Sequence, residues 1–142
     1  MKRFLSILCL LAFFSCTEDD NPNPNASPQE LSSTLVSGEW VVDLFIDDGV
    51  NETSMFNGFS FNFLDNGRVE AISNGQVIET GNWSTYQDDG KVGLDISFSS
   101  DARLDELSDD WYKMNFSNNR IDLEEDYDED ESDEDRLRFV RR

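Results

Sequence analysis

The chain has 142 residues, with 31 acidic side chains against 11 basic ones, no histidine and a formal net charge of −20. A field of that sign repels nucleic acid and anionic lipid surfaces, and the missing imidazole removes the commonest general base and metal ligand. Eleven phenylalanines and three tryptophans suffice for one hydrophobic core, and since the two cysteines are Cys9 and Cys16, the residues after them can hold no disulfide among themselves.

Lys2 and Arg3 precede an almost unbroken apolar run over 4–14. That length suits the core of a signal peptide and is too short to span a bilayer. Ser15 places a small residue before Cys16, and Thr17-Glu18-Asp19-Asp20 follows at once. Residues 21–28, Asn-Pro-Asn-Pro-Asn-Ala-Ser-Pro, make a semi-stiff stalk, since proline favours extended backbone. Ser27-Pro28-Gln29-Glu30 then starts a helix predicted over 28–36, with Leu31 and Leu35 on one face and Gly38 as its stop.

From Gly38 the apolar period changes to two. Trp40, Val42, Leu44 and Ile46 predict a strand with one buried face, ended by Asp47-Asp48-Gly49. Phe59, Phe61 and Phe63 predict a second strand, and Asp65-Asn66-Gly67 and Asn74-Gly75 predict tight turns on either side of a short third one. Residues 76–86 form a strand in which Gly81 marks a bulge or bend and Trp83 is core. Asp88-Asp89-Gly90 turns the chain into Val92, Leu94, Ile96 and Phe98, the cleanest alternation present. Asp101 caps a helical turn that faces Leu104 and Leu107 inward. Tyr112, Met114 and Phe116 share one face of the next strand, Ile121 and Leu123 mark another, and Leu137 and Phe139 close the chain. About eight strands joined mostly by hairpins give an antiparallel meander, whose apolar faces are best hidden by closing into a barrel.

The acidic run over 124–135 admits several readings. Asp126, Asp128 and Asp130 have the alternate spacing of a calcium loop, yet Glu131 stands where a sharp wrap needs glycine. The run reads equally as a solvated loop held open by self-repulsion, or as a patch that docks a basic partner protein. Arg136, Arg138, Arg141 and Arg142 follow it and partly neutralise it. No nucleophile–histidine pair can be written, and no pair of carboxylates stands apart from the rest, so an enzyme is not expected and no cofactor is implied. Trp111 and Tyr112 are neighbours, so alternation turns one of them outward, where it could stack on a sugar ring.

Two resemblances give these readings a frame. Phe13-Phe14-Ser15-Cys16 resembles a bacterial lipobox, with Phe13 where leucine is usual. The resemblance implies a signal peptide over 1–15, lipid on Cys16, a linker over 16–30 and a folded domain over 31–142. Two or three acyl chains would anchor the protein durably to a membrane. Glu18-Asp19-Asp20 is similar to the surface-export signal of lipoproteins from Bacteroidota, which implies the outer membrane and its cell-surface side, with a periplasm-facing location as the alternative. Gly38-Glu39-Trp40, after a short helix and ahead of a meander, resembles the start of the small lipocalin-like, calycin-type lipoproteins of that group. It implies an all-β fold, an eight-stranded antiparallel up-and-down barrel with a short N-terminal helix. In that family the tryptophan plugs one barrel end under a cation from the last strand, here Arg141, and a cation over an indole contributes on the order of 1 kcal/mol.

The expectation is a non-catalytic envelope module with the membrane as its first partner and no nucleic acid. Phe59, Phe61, Phe63, Phe98, Phe116 and Phe139 either line a pocket for a small apolar ligand or fill the barrel as core. In the second case the protein meets a protein partner through its outer face. Weak calcium binding by the acidic loop and glycan binding by an exposed aromatic complete the set.

Overall fold

The computed structural model describes residues 27–125 and 135–142. The signal peptide, Cys16 and the linker before Ser27 therefore lie outside the described residues, as do Asp126, Asp128 and Asp130. The chain begins with helix α1 (Pro28–Val36), capped by Ser27 and Glu30 reciprocally, with Leu31 and Leu35 buried. Strand β1 (Glu39–Asp47) follows, then the two-residue β2 (Val50–Asn51) and a 3-10 turn, Thr53–Phe56. Next come β3 (Phe59–Phe63), β4 (Arg68–Ser73), β5 (Gln76–Asp88) and β6 (Lys91–Ser97). A short α2 (Ala102–Asp105) leads to β7 (Asp110–Phe116), β8 (Arg120–Glu125) and β9 (Arg136–Arg141).

β1 pairs antiparallel with β3, each strand from β3 to β8 pairs antiparallel with the next, and β9 pairs back with β1. The result is a closed eight-stranded antiparallel up-and-down barrel, with β2 a short spur on β1. Closure removes the exposed sheet edges that a meander would otherwise present. The turns are those that the asparagine, aspartate and glycine residues dictate. Asn74 and Gly75 have φ of 52° and 74°, and Asp89 and Gly90 have 44° and 83°, the left-handed pair that a two-residue hairpin needs.

Two of the predicted strand faces are corrected by β-bulges. In β1 the register shifts between Val42 and Leu44, so the inward set is Trp40, Val42 and Phe45, while Leu44 and Ile46 turn outward and are only half-buried. In β7 a shift between Lys113 and Asn115 puts Trp111 and Phe116 on the inner face and Tyr112 outside, rather than Tyr112 and Phe116 together. An extra residue on one strand reverses the side-chain parity beyond it. Strict alternation cannot see such an insertion. Gly81 carries no bulge; the shift nearest it lies between Ala71 and Ile72. Gly81 instead lets the Ser97 carbonyl and the Phe98 ring pass where a Cβ would stand.

Candidate functional site

The barrel has two ends, each closed by a helical element. At the first, α1 lays Leu31 and Leu35 over the opening, and both are fully buried. The Trp40 indole Nε1 donates to the Leu35 carbonyl at 2.8 Å. Arg141, opposite Trp40 in the β1–β9 register, sets its guanidinium 5.3 Å from the indole centroid and donates to the Ser37 hydroxyl at 2.6 Å. Gly38 is small for a local reason, since a Cβ there would sit 3.1 Å from the Arg141 guanidinium. The three residues of the Gly-x-Trp and arginine motif thus meet in one place.

At the opposite end, α2 buries Leu104 and Leu107, and the Trp111 indole donates to the Leu107 carbonyl at 3.1 Å. The loop before α2 is held by Glu79, whose carboxylate accepts the amides of Ser99, Ser100 and Asp101 at 2.8, 2.8 and 2.9 Å. Burial works against the Glu79 charge, but those three amides outweigh it and hold the carboxyl below its ordinary range. The 3-10 turn completes this end. Phe56 stands edge-on to Phe45 with centroids 5.1 Å apart, and the Thr53 hydroxyl accepts the Phe45 amide at 2.8 Å. The sequence reading assigned no element to 50–56; the only signal there was the apolar pair Met55-Phe56.

Between the two caps lies the phenylalanine set. Phe61 meets Phe98 at 6.2 Å and Phe139 at 5.7 Å, Phe139 meets Phe63 at 5.8 Å, and Phe63 meets Trp83 at 5.4 Å, all edge-to-face. Four of the six form one contiguous cluster, with every ring at most 3% exposed. Edge-to-face pairs at these separations contribute beyond their buried area. The other two stand apart. Phe59 lies at the rim under the Arg103 guanidinium, 4.6 Å from its ring, and Phe116 lies beside the β7–β8 hairpin with Lys113 Nζ 5.6 Å away.

The outer face carries three further features. Asp122 accepts from Arg120 at 2.7 Å and from Arg138 at 2.6 Å, and Arg138 reaches Asp43 at 3.4 Å. Burial opposes the Asp122 charge, and the two guanidiniums overcome it and keep the carboxyl below the usual range. A groove of about 200 Å³ opens beside this network, between Leu44, Asn115 and Arg136. On the neighbouring strands β5 to β7, the Tyr86 ring lies across Gly93, where a Cβ would collide with it, and meets Tyr112 edge-on at 5.9 Å. Tyr112 is thus the outward member of the Trp111–Tyr112 pair, with Lys91 Nζ 5.3 Å from its ring. Burial pushes the neighbouring Asp95 carboxyl up, and the Asp110 charge adds to this.

The third feature is a groove of about 380 Å³ on the outer face. It crosses β3 at Gly58, Phe59 and Ser60, between Val41 of β1 on one side and Ile72, Asn74 and Gly75 of the β4–β5 hairpin on the other. Arg142 stands at its end, bonded to Glu39 at 2.6 Å and to the Ser60 hydroxyl at 3.4 Å. Among the described residues, no group of three or more acidic side chains is arranged to hold a metal ion. No protein-family model matches this chain, and no curated protein matches it.

Proposed function

We propose that this protein is a lipid-anchored module of the outer membrane, exposed at the cell surface, whose barrel is packed solid and whose outer face binds a protein partner without catalysis. The observation that carries the reading is the interior itself. The Phe61, Phe63, Phe98 and Phe139 rings touch one another between two caps whose leucines are fully buried. Capture of an apolar ligand would require those rings to part, at a cost in packing that a ligand would have to return. Anchoring rests on the apolar run over 4–14 and on Cys16 with its acidic followers. The absence of histidine argues against nucleophilic catalysis.

Thermal unfolding of the full-length protein tests the barrel reading, scanned with a fatty-acid and lipid panel and separately with calcium. Binding to the folded state stabilises it by mass action, by about 2.7 kcal/mol at a ligand concentration a hundredfold over Kd, and so raises the midpoint. No shift with either is expected. A shift with an apolar ligand that disappears in Phe61→Trp would return the function to the barrel interior, and a shift with calcium alone would move it to the acidic loop. Mass spectrometry of the membrane-extracted chain tests the anchor: lipid on Cys16 is expected, with release of the protein from membranes in Cys16→Ala.

A further inference from the structure

The outer faces of β5, β6 and β7 carry two tyrosines and two aspartates in adjacent rows. One row is Tyr86, Gly93 and Tyr112, each opposite the next in the ladder. Beside it run Ser84, Asp95 and Asp110. Tyr86, Tyr112 and Asp95 are half-buried, and Ser84 and Asp110 are exposed. The glycine between the rings lets them meet. The atom nearest to where a Gly93 Cβ would stand is Tyr86 Cζ, which carries the hydroxyl, so the phenol lies across β6 and its hydroxyl reaches toward β7. There the hydroxyl oxygen is buried and makes no hydrogen bond of good geometry. Burial first, then Tyr112 and the Asp110 and Asp95 charges, hold this phenol above its ordinary range.

The acid pair runs against the usual pairing of side chains across a sheet. The Ile96 amide donates to the Asp109 carbonyl at 3.2 Å. Asp95 and Asp110 are therefore a non-hydrogen-bonded pair, the kind in which opposite side chains stand closest. Like charges placed so destabilise a sheet. Among the described residues, no ion pair reaches either carboxylate. Lys91 and Asp95 lie two residues to either side of Gly93, so Lys91 meets the Tyr112 ring from the side away from the acids.

We infer that this face receives an arginine side chain of a partner protein, whose guanidinium bridges the Asp95 and Asp110 carboxylates with its plane against the Tyr86 ring. Charge complementarity selects the occupant. The net charge of −20 draws in a cation, and two opposed carboxylates offer acceptors to a planar fork of donors that also stacks on an aromatic face. A sugar ring could stack on the tyrosines, but it would leave the two carboxylates facing each other without a counter-charge. The inference rests on the interaction-module reading and adds to it the place and the chemistry of the contact.

The test uses the 15N-labelled full-length protein in detergent micelles. The probe is the acetylated, amidated peptide Gly-Ser-Arg-Ser-Gly. The controls are the same peptide with citrulline for arginine, which keeps the shape and removes the charge, and a panel of methyl glycosides. The expected result is chemical-shift change confined to Tyr86, Gly93, Asp95, Asp110 and Tyr112. Binding should weaken at least about tenfold for the citrulline peptide and in Asp110→Asn, the scale of a lost charge-assisted bond. It should change by less than about twofold in Asp105→Asn, which removes one exposed acid elsewhere. Asp110→Asn relieves a repulsion and should leave the amide spectrum otherwise native. Equal binding of the citrulline peptide, equal weakening in Asp105→Asn, or no shift at millimolar peptide overturns the inference. Shifts with the glycosides and none with the peptide give the face to a sugar and overturn it too. Peptide shifts elsewhere on the outer face, at Ser60 and Ile72 or beside Arg120 and Arg138, overturn the place but leave the interaction-module reading standing. Shifts of the buried Phe61 and Phe139 resonances instead overturn both.

Discussion

The two sides of β1 show how one strand of a closed barrel can be paired to very different extents on its two edges. On the β9 side the ladder continues past its own bulge, with Trp40, Val42 and Phe45 facing inward against Phe139 and Leu137. On the β3 side, the segment between β1 and β3 folds back as a spur and a 3-10 turn, and Phe56 takes the inward place beside Phe45. Side-chain packing therefore continues where backbone pairing stops. The interior is closed on both sides, while the ladder of β1 is long on the β9 side and short on the β3 side. Closure of a core and completion of a hydrogen-bond ladder are separate achievements.

The sharpest way to break this comparison is to remove a ring on each side. Phe139→Ala, at the centre of the aromatic cluster, should cost about 3–5 kcal/mol in equilibrium urea unfolding, the range for large-to-small changes in a core that cannot collapse. Phe59→Ala, at the barrel rim, should cost clearly less, because one face of its ring is covered by the half-exposed Arg103 guanidinium and not by the ring cluster. Equal losses would mean that the rim on the β3 side is as tightly packed as the β9 side.

Native-state hydrogen exchange reads the same contrast in the backbone. The amide of Val41, paired with Val140, should exchange on the order of a thousandfold more slowly than those of Val42 and Phe59, since ladder bonds in a core open only near global unfolding. Similar rates for the three would remove the distinction between the two edges.

A smaller effect is expected at the helical plug. Ser27→Ala removes half of the α1 capping box, in which the Glu30 amide donates to the Ser27 hydroxyl at 3.3 Å and the Ser27 amide to the Glu30 carboxylate at 2.7 Å. A loss of about 1 kcal/mol is expected, with exchange at Val42 and Phe59 unaltered.

The smallest effect is a pH dependence at the opposite end. Burial, and after it the Asp47 and Asp48 charges, hold the Asp135 carboxyl above its ordinary range, against the amide that Asp48 donates to it at 2.8 Å. A carboxyl raised in the folded state favours folding while protonated, and that contribution is lost as the pH rises through its folded pKa. Asp135→Asn keeps an acceptor for the Asp48 amide and carries no charge. Its Tm at pH 7 should therefore exceed that of the parent, and the two curves should converge below the ordinary carboxylate range. A gap that persists at acid pH would assign the effect to packing.

Much of this was legible in the sequence because the signals were local. The capping box at Ser27 and Glu30, the left-handed pairs Asn74-Gly75 and Asp89-Gly90, and the alternation of Val92, Leu94 and Ile96 each depend on a few neighbouring residues. The meeting of Trp40 and Arg141 was also within reach, since barrel closure puts the first and last strands in register. The inward Phe45 and Trp111 were not, because both strands carry apolar residues on either parity, so the reversal that a bulge imposes cannot be told from the pattern alone.

The sequence by itself determined the class of fold: it spaced the apolar residues for strands, placed the turns and supplied enough large side chains for one core. Only the tertiary structure decided what those side chains do. Whether six phenylalanines line a space or fill it depends on distances across the barrel. The unequal ladders of β1, long toward β9 and short toward β3, follow from how the strands meet at closure, with β2 and the 3-10 turn lying between β1 and β3, and no local pattern in the sequence encodes that meeting.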